Sequence, residues 1–376
     1  MIGVLEEITA KSLRLNVPLA VQLDITYRCN ERCVHCYLDH HDHGEMTTAE
    51  IFRLIEEMAD AGVLTLTLSG GEIFLRKDFF DIVEHARRLT FCVKLKTNAL
   101  LIGEREAARL RDLAIQEIQV SIYSHRPEVH DSITLVPGSL KRSLSAIRFL
   151  KAQDLKVVMA NVLMRQNMSD YAAVKDLAEE IGVEFTLDPT ITPMMDGNRS
   201  ILSLGADADT LRDVFRDSVV VGDVDEFCAI PSDTGEANLD SRPCSAGHTT
   251  CYVSPYGDVF PCVQFPLPTG NVRRERFVNI WRHSSEMNEV RSIRLKDLPT
   301  CSSCSHAGAC TRCPGLAYME GNMRGPSSQD CQKSFARTGI PSANMLAKQQ
   351  RAAGINLVQI RPLSAPVSSS VAGAMA

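Results

Sequence analysis

The chain has 376 residues, 44% hydrophobic and 23% charged, enough to bury a large core and to build two domains. Its formal net charge of −6, with no basic stripe, argues against a nucleic-acid partner and against an anionic membrane surface. No apolar run reaches the roughly 18 residues of a membrane span, and the opening MIGVLEEITAKSLRLNVPLA lacks the apolar core and cleavage site of a signal peptide, so a cytoplasmic location is expected.

Residues 1–19 read as an N-terminal extension. From 20 to 190, short apolar runs rich in β-branched residues alternate with longer amphipathic ones, the pattern of βα units around a parallel sheet. Six strands are predicted: Val21 to Ile25, Leu64 to Leu68, Phe91 to Lys96, Glu117 to Ile122, Lys156 to Leu163 and Val183 to Leu187. In TTAEIFRLIEEMADAG, Ile51, Leu54, Ile55 and Met58 form one buried helical face; Thr47 is the expected N-cap with Glu50 completing a capping box, and Gly62 the C-cap. Six units fall short of a closed TIM barrel, so an open partial barrel and a doubly wound sheet both fit, and both place function at the carboxyl ends of the strands. Residues 191–243, rich in Asp, Ser and Gly, read as a linker with one short helix around Thr210 to Val219. A cysteine-rich domain follows over 244–335, then a tail over 336–376 whose end, LSAPVSSSVAGAMA, has a disordered composition.

Thirteen cysteines are the unusual feature, and a reducing compartment turns clustered cysteines toward metal or catalysis rather than disulfides. Three stand at Cys29, Cys33 and Cys36, eight between Cys244 and Cys331, and Cys92 and Cys228 stand apart as buried structural thiols. The first three, in CNERCVHC, follow the first strand directly. Three thiolates on a [4Fe–4S] cluster leave one iron open to a small molecule, whereas a structural zinc would need a fourth ligand such as His35. His40, His41 and His43 in DHHDHGE have no helical i, i+4 scaffold and read as a solvated loop.

CX3CX2C after the first strand, with SGGE after the second, resembles the radical S-adenosylmethionine (SAM) superfamily. The resemblance implies a partial (β/α)6 TIM-like barrel in which Cys29, Cys33 and Cys36 hold a [4Fe–4S] cluster that chelates SAM. Gly70, Gly71 and Glu72 would line its methionine amino group, two glycines giving close backbone approach and a carboxylate suiting an ammonium. Ile73 stands where the family usually has proline. Ser121 and Asn161 resemble the residues that contact the SAM carboxylate and ribose, Thr97 and Asn98 could contribute, and His35 occupies the position beside the adenine.

The eight later cysteines read Cys244, six residues, Cys251, ten residues, Cys262, then CX2CX5CX2C at Cys301, Cys304, Cys310 and Cys313, and finally Cys331. Two four-ligand sites could hold two [4Fe–4S] clusters or two zinc ions. Gly257 is expected in a turn over Tyr256 to Asp258. The spacing is similar to the SPASM domain, which implies two auxiliary [4Fe–4S] clusters, one on Cys244, Cys251, Cys262 and Cys313 and the other on Cys301, Cys304, Cys310 and Cys331.

The two resemblances imply an enzyme that reductively cleaves SAM to a 5′-deoxyadenosyl radical and abstracts hydrogen from a residue of a ribosomally made peptide or protein. Crosslinking, epimerisation or side-chain oxidation would follow, with a reduced flavodoxin or ferredoxin as electron donor. The residues before the first strand are too few for a fused leader-binding domain, which points to a separate leader-recognition protein or to the enzyme's own surface. The alternatives are a small-molecule substrate such as a tetrapyrrole of haem biosynthesis, and a non-catalytic iron–sulfur or zinc carrier or sensor. Tyr27, Tyr37, His125 and Asp188 lie near strand ends and receive no role, so the catalytic acid or base stays unassigned.

Overall fold

The computed structural model describes residues 3–229, 238–307 and 310–349. Helix α1 (Val4–Leu15) precedes six βα units: β1 (Ala20–Thr26), α2 (Thr48–Ala61), β2 (Thr65–Gly70), α3 (Phe79–Arg88), β3 (Cys92–Thr97), α4 (Glu104–Asp112), β4 (Glu117–Ser121), α5 (Pro127–Thr134) with α6 (Ser139–Lys151), β5 (Val157–Val162), α7 (Tyr171–Ile181) and β6 (Glu184–Asp188). All six predicted strands form, shifted by a residue or so at their ends. The capping box of α2 forms as well: Glu50 N–H donates to Thr47 Oγ1 at 3.3 Å and Thr47 N–H to Glu50 Oε2 at 2.8 Å. Gly62 caps its C-terminus at φ 93°.

The sheet order is β6-β5-β4-β3-β2-β1-β7-β8-β9, sequential through the first six strands and without the reversal of a doubly wound sheet. Its two faces differ in chemistry. Val21, Leu23, Ile25, Leu66, Leu68, Val93, Leu95, Ile118 and Val120 are buried on the outer face among the helices. The alternating positions Gln22, Asp24, Ser69, Lys94, Lys96, Glu117, Gln119 and Ser121 share the opposite, polar face. An apolar coat of helices over a polar lumen is a partial barrel, because a sheet sandwiched between two helix layers would be apolar on both sides.

Strand β7 (Thr250–Val253) pairs in parallel with β1, so the cysteine-rich region donates a seventh parallel strand to the barrel sheet. Strands β8 (Asp258–Phe260) and β9 (Gly270–Asn271) extend it antiparallel. Gly257 sits in the expected turn at φ 88°. Helices α11 (Phe277–His283) and α12 (Ser285–Ser292) follow, and the buried Trp281 of α11 donates its indole N–H to Asn16 O at 2.9 Å, tying the N-terminal segment down.

The segment expected to be a linker holds α8 (Ala208–Val214), α9 (Ser218–Val221) and α10 (Val224–Cys228). Leu211, Val214 and Phe215 make it a small core with Ala336. Its short helices escape a periodicity search because each is capped by its own aspartate, Asp207, Asp217 and Asp223, and those aspartates read as loop composition. Helices α13 (Pro314–Met319) and α14 (Ser328–Thr338) complete the fold, with a helical stretch over 343–349. The stretch LSAPVSSSVAGAMA lies outside the described residues. Among the described residues no helix is long and apolar enough to cross a membrane.

Candidate functional site

The loop after β1 is held in place by backbone. Gly71 N–H donates to Thr26 O at 2.8 Å and Glu72 N–H to Arg28 O at 2.9 Å, clamping the end of β1 against the end of β2. A Cβ on Gly70 would stand 2.1 Å from Thr26 O, and one on Gly71 2.3 Å from Arg28 O. The two glycines are therefore required by the backbone that leads into Cys29, a different cause from the ligand approach expected of them. Arg32 N–H and Val34 N–H, donating to Thr134 O and Ile133 O at 3.1 and 3.0 Å, fix the loop's far side to α5.

Cys29, Cys33 and Cys36 all line one cavity of about 500 Å3, large enough for a cofactor with part of a substrate. His35, Gly70, Gly71, Ser121 and Asn161 line it too. Burial pushes the Cys29 thiol up to about 12 and that of Cys36 to about 11, and raises Cys33 further. Iron reverses that penalty, since a coordinating metal holds the thiolate charge. Three buried polar atoms of the described residues that line this cavity are left without protein partners: Asn161 Oδ1, whose amide nitrogen donates to Ile122 O and Tyr123 O at 2.9 and 3.1 Å, His35 Nδ1 and His40 Nδ1. Burial lowers His35 to about 4, so its imidazole is neutral and stands edge-on to Tyr123. Three thiols, a roomy cavity and orphaned polar atoms on its wall fit a cluster with a polar organic ligand.

Glu72 departs from the expected contact. Its carboxylate is fully buried and does not line the cavity; it accepts from Thr97 Oγ1 at 2.8 Å, Asn98 N–H at 2.9 Å and Phe74 N–H at 3.1 Å. Desolvation pushes it up to about 6. Its donors make it the brace between the ends of β2 and β3, so the surface offered to a ligand here is the glycine backbone. Asn98, braced in turn, donates to Asn30 Oδ1 at 2.7 Å within the cysteine loop.

Two features escaped the sequence reading. Glu31 is almost fully buried beside the thiols, with Cys33 Sγ 3.4 Å from its Oε2, and desolvation pushes it up to about 7. Asp24 lies beneath the loop, accepting from Gln22 Nε2 at 3.1 Å and Tyr252 Oη at 2.9 Å, while Tyr252 shares a 2.6 Å hydrogen bond with Tyr27. Tyr252 belongs to β7, so a residue 228 positions away completes the barrel floor, and no local pattern signals that.

Among the later cysteines two groupings lie within electrostatic reach of one another. Cys262 is within electrostatic reach of Cys244, Cys251 and Cys313, while Cys301, Cys304, Cys310 and Cys331 neighbour one another. Around the second set, Ser334 Oγ lies 3.3 Å from Cys310 Sγ, Ala343 N–H donates to Cys304 Sγ at 3.5 Å, and Asn344 Nδ2 to Cys331 Sγ at 3.7 Å. His306 Nε2 lies 2.9 Å from Ile340 O. Residues 340–344, expected in the tail, thus lie against the second cysteine grouping, and five residues are too few to give a periodic hint of it. Among the described residues no three His, Cys, Asp or Glu side chains converge as one metal ion would require. His40, His41 and His43 are part of that result.

Residues 23–178 match the Radical SAM superfamily, and residues 244–305 match the SPASM iron–sulfur cluster-binding domain. The chain is 27% identical over 326 residues to an AdoMet-dependent heme synthase of Methanosarcina barkeri, covering 81% of this chain and 93% of that protein. It is 28% identical to the mycofactocin maturase MftC of Mycobacterium tuberculosis, covering 79% and 78% of the two chains. The fold resembles Streptococcus suis SuiB bound to its precursor peptide SuiA, with a TM-score of 0.67 at 18% identity over 87% of this chain and 80% of that one. The three-cysteine loop on β1, the sequential polar-lumened sheet and the two matched regions make this chain a radical SAM superfamily enzyme with a SPASM domain.

Proposed function

We propose that this enzyme modifies a residue of a ribosomally made peptide or protein by hydrogen abstraction. Its family binds iron–sulfur clusters and SAM. Cys29, Cys33 and Cys36 would hold the cluster, which would supply the electron for reductive cleavage of SAM. The protein's share is to hold and orient: Gly70 and Gly71 fix the cysteine loop, and Ser121, Asn161 and His35 offer polar atoms to SAM.

The observation that carries the peptide reading is the length of the open space. The reaction cavity shares Leu187 and Thr190 with a second cavity of about 420 Å3, lined by Val214, Phe215 and Phe227 and rimmed by Lys333. A path running from the thiols out past β6 and α8 suits an extended chain threaded to one reacting residue. The likeness to a maturase along most of its length supports the same reading.

The eight C-terminal thiols then hold two auxiliary [4Fe–4S] clusters, partitioned as the two sets. Val263 and Gln264 line the reaction cavity beside Cys262, and Gln264 Oε1 lies 3.9 Å from Cys313 Sγ, so the first set adjoins the reaction space. A cluster held there would offer an acceptor for the electron released when a substrate radical is oxidised. A flavodoxin or ferredoxin in the cytoplasm serves as donor, and leader recognition falls to a separate protein or to this enzyme's own surface.

A second reading, a tetrapyrrole substrate, is favoured by the likeness to the heme synthase over 93% of that protein. Anaerobic incubation of the reduced enzyme with SAM and peptides encoded beside its gene decides between them. The expected result is 5′-deoxyadenosine formed together with a peptide of altered mass. Cleavage coupled only to a porphyrin propionate establishes the second reading, and absence of cleavage with any low-potential donor overturns both.

A further inference from the structure

The polar lumen holds two lysines on one strand face, and their surroundings differ. Lys94 Nζ is 3.2 Å from Glu117, which also pairs with Lys156, which in turn pairs with Glu184, so the bottom of the lumen is a closed ladder of ion pairs across β3 to β6. Lys96, two residues nearer the cysteine loop on the same face, lines the reaction cavity and is exposed to it. Its ammonium donates to the neutral Gln22 Oε1 at 3.0 Å, and among the described residues no carboxylate lies within ion-pairing distance. Two acidic groups act on it through space without an ion pair: Asp24, whose oxygens already accept from Gln22 and Tyr252, and the Cys262 thiol.

Lys96 is the one Lys or Arg among the described residues that line the reaction cavity, whose acidic members are Glu31 and Asp188. Gln119 pairs with Lys96 in register, and its side-chain amide has no partner among the described residues. An ammonium and an amide N–H on register-paired residues of adjacent strands can both donate to one carboxylate. A cation that a bound substrate seals from water needs an anionic partner, because burying it unpaired is costly.

We propose that Lys96, with Gln119, seats a carboxylate of the substrate on the lumen wall below the three-cysteine loop. The inference rests on the reading of this cavity as the substrate's, and is indifferent to whether the carboxylate belongs to an acidic or C-terminal peptide residue or to a tetrapyrrole propionate. Lys94 serves as the internal contrast: the same residue on the same face, already satisfied by Glu117.

The test measures binding by the anaerobic holoenzyme, without turnover. Two probe pairs are used: an octapeptide library rich in Asp and Glu with free C-termini against its Asn and Gln amidated counterpart, and a porphyrin propionate against its methyl ester. In the wild type the carboxylate member of one pair binds about 10- to 100-fold tighter, the range of a lost charge-assisted hydrogen bond. In Lys96→Met that ratio collapses toward one, and in Lys96→Arg it is largely restored; iron content equal to wild type certifies that the variants fold. Preference in the peptide pair identifies a peptide carboxylate, and preference in the porphyrin pair alone keeps the seat while overturning the peptide reading. A ratio that survives in Lys96→Met, no preference in either pair, or a loss confined to SAM affinity overturns the proposal, the last by assigning the ammonium to the cofactor's own carboxylate.

Discussion

The barrel and the cysteine-rich domain use the same ligand residue in opposite surroundings. Cys29, Cys33 and Cys36 open onto a cavity of about 500 Å3, while none of the eight later cysteines lines either large cavity. The first set is positioned by its neighbours' backbone, Thr26 and Arg28 accepting from Gly71 and Glu72, and its remaining face is left to a ligand. Of the later thiols, Cys304, Cys310 and Cys331 are met by donors from α14 and from Ala343 and Asn344. Donors to sulfur and exclusion of solvent tune a cluster's potential, whereas an open iron coordination site permits chemistry. A wall open to a cavity, more than ligand type, thus separates the three-thiol loop from the eight later thiols.

The largest expected effect comes from removing each set in turn. If the proposed three clusters are present, replacing Cys29, Cys33 and Cys36 by Ala abolishes SAM cleavage and lowers iron from about twelve to about eight per chain. Cys331→Ala also removes about four irons, yet the electron paramagnetic resonance signal that responds to SAM survives. Equal loss of that signal in both variants would erase the distinction between the regions.

Gly71→Ala sharpens the claim that backbone holds the first set. Its Cβ would stand 2.3 Å from Arg28 O, so the β1 loop must move. A loss of about 3 to 5 kcal/mol is expected in urea unfolding of the metal-free protein, with poor iron loading. Unchanged stability would return the glycines to a purely ligand-facing role.

The smallest effect concerns the barrel floor. Asp24 ionises near 3.8 in the unfolded chain and at about 6 in the fold, where burial opposes its charge. A raised carboxyl stabilises the fold below pH 4 and loses that contribution as pH climbs through 6, by up to about 3 kcal/mol. Asp24→Asn should flatten this part of the stability curve of the metal-free protein, measured by urea unfolding at pH 4, 5 and 7. An equally steep decline in the variant would show that Glu31 or Glu72, both raised by burial, dominates it.

By itself the sequence determined the six βα units, the capping box at Thr47, and a group of three cysteines set apart from a group of eight. Those features are local: a helix face, a turn or a metal-binding loop is written within a dozen residues, where period and spacing can be read. Tertiary structure decided the rest. The seventh strand reaches β1 from residue 250, Tyr252 meets Asp24 across 228 positions, and Ala343 reaches Cys304 from beyond the expected domain end. Glu72 turned from ligand contact to brace because Thr97, Asn98 and Phe74 present donors that only the neighbouring strand brings near. Contacts of such long range have no periodic signature, since their energy depends on which surfaces the sheet juxtaposes and not on the residues that flank them.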